Sequence, residues 1–166
     1  MDAREDREVV PRTNITTVER TSDREVVVTR SFDAPARLVF EAWSKPELFK
    51  RWWVPKSMGM TLRSCEMDVR TGGSYRLGFV DGVDFFGRYL EVTPPSRIVW
   101  TNEEGGGNGS VTTVTLTETD DKTLLIVSEL YPSKEALDAD GAGALDATHE
   151  TFEQLDELLV ELASES

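Results

Sequence analysis

The sequence is poor in the residues that make covalent and metal chemistry easy. It holds one cysteine and one histidine in 166 residues. A lone cysteine excludes an intrachain disulfide, and one histidine beside it cannot furnish the usual Cys/His zinc set. Cys65 lies inside a strand pattern with no adjoining basic residue, so it reads as a small buried apolar residue rather than a reactive thiol. Apolar runs of membrane-spanning length are lacking as well. The first residues, Met1 to Glu8, are charged and have no apolar core of a secretory signal, so the expected location is cytoplasmic, with no membrane partner. Positive charge is short: 18 Lys and Arg stand against 31 Asp and Glu, for a net charge of −13. Such a chain repels phosphate backbones, which argues against nucleic acid as a partner. The imbalance is local. From Glu129 to Ser166 there are eleven acids and one lysine, whereas the first 56 residues are nearly balanced. That acidic end reads first as a solvated helix face and second as a surface for a basic protein.

What is present fits one globular domain with a single core. Residues 1–13 are charged and aperiodic and are expected to form a flexible tail, leaving 14–166 as the domain. Asn14 to Arg20 is rich enough in β-branched residues to add an edge strand, through which a monomer can become a homodimer. Val26, Val28, Arg30 and Phe32 alternate with Glu25, Val27, Thr29 and Ser31, as in a strand with one buried face. Pro35 ends that strand and suits the start of a helix, whose apolar face is Leu38, Val39, Phe40, Ala42 and Trp43. Ser44, Pro46 and Glu47 read as the cap, first turn and capping-box partner of a second short helix. Leu48, Phe49, Trp52 and Trp53 give that helix an aromatic underside.

Strands are expected near 60–70, 74–80, 84–93, 97–103, 111–119 and 123–131. They are separated by turn signals at Thr71-Gly72-Gly73, Asp81-Gly82, Pro94-Pro95, Gly105 to Gly109 and Asp120-Asp121. Connections this short make neighbouring strands antiparallel. Alternation turns Tyr75, Leu77, Phe79, Ile98, Trp100, Val114, Leu116, Leu125 and Val127 inward and leaves Thr113, Thr115 and Thr117 outside. A final helix is expected from about Gly141 to Gly143, with Leu145, Phe152, Leu155, Leu159 and Leu162 on one stripe and acids opposite. The whole reads as an α+β helix-grip fold: a curved antiparallel sheet of about six to seven strands around a long C-terminal helix, with two short helices after the first strand.

Four stretches carry a resemblance to a known family. They are Thr29 to Pro35, Lys50 to Pro55, Cys65 to Gly73 and Glu91 to Thr101. In this order and spacing the chain resembles the SRPBCC superfamily, of START-like and birch-pollen-allergen-like fold. Within it, the chain is similar to the group related to the C-terminal domain of the activator of heat-shock protein 90 ATPase. The resemblance implies the same helix-grip architecture. It also implies a small-molecule binder, a co-chaperone-like module or, in a few members, an enzyme. The co-chaperone proper carries a separate N-terminal domain, for which these residues leave no room. Relatives often place an aromatic residue where Thr148 stands, so an inward Thr148 would enlarge the pocket.

The candidate ligand-binding residues are Trp52, Trp53, Tyr75, Leu77, Phe79, Phe86, Trp100, Thr148 and Phe152, lining a cavity between sheet and C-terminal helix. The expected ligand is a small hydrophobic or amphipathic molecule, with a chaperone or other protein as the alternative partner. No catalytic constellation is evident; His149 and Glu129 are the acid–base candidates for the hydrolase or cyclase alternative. Arg30 shares parity with Phe32 and needs a carboxylate, for which Asp68, Glu91 and Glu129 are candidates. The glycine loop lacks the Lys-Ser/Thr ending of a phosphate loop and reads as a hairpin connection. No cofactor and no metal are expected.

Overall fold

The computed structural model describes residues 16–54, 56–59, 62–80, 84–103 and 109–165. The expected tail at 1–13, the Asp81-Gly82 turn and most of the glycine loop lie outside them. The elements run β1 (Thr17–Arg20), β2 (Glu25–Phe32), α1 (Ala36–Ser44), α2 (Pro46–Trp52), a 3₁₀ turn (Lys56–Met58), β3 (Leu62–Met67), β4 (Ser74–Phe79), β5 (Asp84–Thr93), β6 (Arg97–Thr101), β7 (Val111–Thr119), β8 (Lys122–Leu130) and α3 (Lys134–Glu165).

The strands form one antiparallel sheet of eight, in the order β1-β2-β8-β7-β6-β5-β4-β3. This is a helix-grip fold of the α+β class, with one or two more strands than the sequence suggested. Because β2 lies near one edge and β3 at the other, the connection between them must cross the sheet. It carries α1 and α2 over the same face that α3 covers. Phe32 of β2 meets Phe152 of α3 edge-on at 6.2 Å, and Val39, Trp52, Leu125, Val114 and Leu155 are fully buried around them.

Local chemistry explains most boundaries. Pro35 precedes α1 without a capping side chain, and the carboxylate of Glu118 takes over, accepting from the Ala36 N–H at 2.9 Å. Lys45, not Ser44, is the N-cap of α2, and no side chain caps it. The two helices abut so closely that Ser44 still belongs to the first. The final helix starts at Lys134, ahead of the expected glycines. Ser133 caps it by accepting from the Ala136 N–H at 3.1 Å, and Leu137 is buried at its first turns. The side chain of Leu145 lies outside the described set. Asp120 and Asp121 both have positive φ, 55° and 66°, the conformation that a two-residue hairpin between right-twisted strands requires.

Register differs between the two sides of the sheet. The β2/β8, β7/β8 and β6/β7 ladders run without a shift. The β3/β4 ladder shifts between Leu62 and Ser64, and the β5/β6 ladder between Tyr89 and Glu91. In β5 the extra residue is Leu90, which is exposed, so Tyr89 and Val92 both face the core three residues apart. Bulges of this kind bend a strand and raise its twist. Both lie on the β3–β6 side.

Candidate functional site

The curvature opens a cavity of about 30 Å³ between α1, α2 and the β3–β6 side of the sheet. Trp43, Phe49 and Trp53 cover it from the helices; Met67, Leu77 and Phe85 form the apolar wall of the sheet. Tyr75, Tyr89, Trp100 and Asn102 add polar atoms to that wall. Phe49 and Trp53 stack at 4.8 Å, and the other rings meet tilted or edge to face: Trp43 and Trp100 are 5.8 Å apart, Tyr75 and Tyr89 5.6 Å, Tyr75 and Trp100 6.5 Å.

Asn102 organises one end. Its amide oxygen accepts from the Trp100 indole at 3.3 Å and the Tyr75 hydroxyl at 3.2 Å. Its amide nitrogen donates to Ser110 Oγ and Thr112 Oγ1, each at 3.0 Å. Ser110 Oγ in turn donates to Glu129 at 2.6 Å. Two glycines let the backbone come close enough for this. A Cβ at Gly87 would lie 1.9 Å from the Thr101 carbonyl oxygen, and one at Gly109 only 1.6 Å from that of Asn102. Burial pushes the Tyr89 hydroxyl well above its ordinary pKa, with Cys65 and Asp68 adding to the shift. Cys65 is also raised by burial, against the opposing pull of Lys50.

A polar strap holds Trp53. Gln154, buried on α3, donates to the Trp52 and Val54 carbonyls at 3.0 and 2.9 Å and accepts from the Lys56 N–H at 2.9 Å. Glu150 accepts from the Ser57 N–H at 3.0 Å.

The residues singled out from sequence divide. Trp53, Tyr75, Leu77 and Trp100 line the cavity. Trp52 does not: it is fully buried, its indole donating to the Ala42 carbonyl at 2.9 Å. Phe152 packs in the core against Phe32, Trp43 and Trp52. Phe79 packs edge-on to Phe85 at 5.4 Å. Phe86 faces outward, because Leu77 opposes Phe85 in the β4/β5 register; its ring lies beneath Arg76 at 4.5 Å. Thr148 is half-buried and its carbonyl accepts from Thr151 Oγ1 at 3.2 Å. His149 is exposed. Neither lines the cavity, and no described residue of α3 does. Glu129 stands behind Asn102, two hydrogen bonds removed from the wall through Ser110. Trp43, Phe49, Met67, Phe85 and Asn102 are wall residues that the sequence reading did not assign to the site, whereas Tyr89, a polar candidate from sequence, does line it. Asn102 was within reach, being two residues beyond inward-facing Trp100.

Arg30 is buried and pairs with Asp156 of α3 at 3.3 Å, not with Asp68, Glu91 or Glu129. Thr16 accepts from the same guanidinium at 2.9 Å. Burial raises the Asp156 carboxyl above its ordinary value although Arg30 opposes the shift. This pair ties sheet to helix away from the cavity.

Comparison with known proteins agrees with the fold. The sequence pattern of the family described as "Activator of Hsp90 ATPase homolog 1-like protein" matches residues 33–160. A Rhodobacter sphaeroides protein of solved structure superposes with a TM-score of 0.80 at 23% identity, over 89% of this chain and 99% of that one. A Nitrosomonas europaea protein gives 0.76 at 24%, over 87% and 99%. Ms6760 from Mycobacterium smegmatis gives 0.72 at 23%, over 89% and 99%. No curated protein matches the chain.

Proposed function

The chain belongs to the family of Activator of Hsp90 ATPase homolog 1-like proteins, and from that premise we propose that it binds a small hydrophobic or amphipathic molecule between α1, α2 and β3–β6. The observation that carries this reading is the composition of the cavity wall. Aromatic and aliphatic side chains surround a space into which a few fixed polar atoms point, as in small-molecule sites generally. Apolar burial supplies most of the affinity and the polar atoms fix orientation.

At about 30 Å³ the resting cavity holds no more than a water or so. A ligand therefore widens it on entry. Trp53 is the movable wall: it is only half-buried, and hydrogen bonds to Gln154 and Glu150 hold the segment after it to α3. An acid–base reaction finds little support in this cavity, since His149 is exposed and Glu129 does not line the wall.

Native mass spectrometry of freshly purified protein, followed by thermal shifts against lipids and aromatic metabolites, tests the proposal. A co-purifying small molecule or a concentration-dependent rise in Tm is expected. Neither appearing would overturn it.

A second reading, a protein-interaction module, has its own observation. The outer face of α3 exposes Glu153 and Glu157 beside Val160, which is 67% exposed. Binding to a basic protein that weakens with salt and vanishes on neutralising both glutamates would favour it.

A further inference from the structure

Three tryptophans are buried around the cavity, and their indole N–H groups have different fates. Trp52 donates to the Ala42 carbonyl and Trp100 to Asn102. Trp43 is 2% exposed and lines the cavity, yet its Nε1–H is buried with no acceptor. Buried donors are nearly always paired, and leaving one unmet costs free energy that a partner would recover. Packing does not explain the vacancy, because a phenylalanine would fill much of the same space without the polar atom.

We propose that the cavity selects a neutral aromatic ketone or related carbonyl compound, whose oxygen accepts from the Trp43 indole N–H. This rests on the reading of the cavity as a ligand site. Three features narrow the chemistry. Asn102 is occupied by Trp100, Tyr75, Ser110 and Thr112, so it positions the wall rather than meeting the ligand. Tyr89 lines the same space, and its hydroxyl has no acceptor among the described residues; burial keeps it protonated, so it is a second donor. Two donors, with the Asn102 oxygen already engaged by Trp100 and Tyr75, call for an oxygen acceptor on the ligand. No charged side chain lines the cavity among the described residues. A carboxylate would enter without a counter-ion, which is costly, so the acceptor is uncharged. The aromatic walls favour a planar body.

The test is a ¹H–¹⁵N NMR titration of the whole chain with three probes of one shape: acetophenone, α-methylstyrene and benzoate. The first two differ only by carbonyl oxygen against methylene. Acetophenone should bind about tenfold tighter than α-methylstyrene and move the Trp43 indole proton downfield, with benzoate weakest. Trp43→Phe should abolish the preference while both neutral probes still bind; Tyr89→Phe should reduce it. Equal binding of the neutral probes, or an unmoved Trp43 indole signal, overturns the inference and leaves the cavity reading standing. Tighter binding of benzoate overturns the neutral class. No saturable binding by any probe overturns the cavity reading and this inference with it. The wild-type comparison of probes needs no variant, so a poorly folded Trp43→Phe does not blunt the test.

Discussion

The two sides of this sheet solve the same packing problem in opposite ways. On the β2-β8-β7 side, ladders without register shifts meet α1 and α3 through residues such as Phe32, Val39, Leu125 and Leu155, all fully buried. On the β3–β6 side, two bulges bend the strands away, and large aromatic rings bridge the space without filling it. Unshifted ladders with closely packed side chains close a core; bulged ladders bridged by large rings leave room. Stability is expected to reside on the first side and ligand chemistry on the second.

The largest test of that division compares two phenylalanines. Phe32→Ala, in the sealed side, should cost about 3–5 kcal/mol in urea unfolding. Phe85→Ala, partly exposed and already beside open space, should cost roughly 1–2 kcal/mol. Equal losses would erase the distinction. Next comes the polar tie of the sealed side. Asp156→Ala strands the buried Arg30 guanidinium and should destabilise by about 3 kcal/mol; a loss below about 1 kcal/mol would mean that the pair acts like an exposed one. Gln154→Ala removes the strap behind Trp53 and should cost about 1–2 kcal/mol. Its sharper readout is tryptophan fluorescence, which should shift to the red as Trp53 loosens. The smallest effect is a pH dependence. Tyr89 titrates above its ordinary 10.0 in the folded chain, so its contribution is full below about pH 10 and is lost as pH rises further. Above pH 10, Tyr89→Phe should lose stability less steeply than the wild type, with parallel curves below.

The sealed side was the more legible in sequence. Strict alternation through Val26 to Phe32 and Val114 to Leu116 assigns their faces, and the Asp120-Asp121 turn sets the β7/β8 register. The cavity side was not so open to reading, for physical reasons. Phe85 and Phe86 are adjacent aromatics, and only the pairing of Leu77 with Phe85 decides which faces inward. The extra residue at Leu90 shifts the phase of β5, which no fixed period of two reports. Trp52 and Trp53 look alike in sequence, yet one closes the core and the other walls the cavity. The glycines at 141 and 143 suggested a helix start, but Ser133 caps the helix a turn and more earlier, and Leu137 buries its first turns. The cavity itself follows from curvature, which the strand pattern alone does not show.

Backbone amide mapping by ¹H–¹⁵N NMR during an acetophenone titration tests the central claim most directly. Saturable shifts confined to β3–β6, α2 and the Trp53 segment, with β2, β7 and β8 unmoved, are the predicted result. Shifts centred on β2, β8 and α3, or none that saturate, would contradict the division of the sheet into a sealed side and a receptive one.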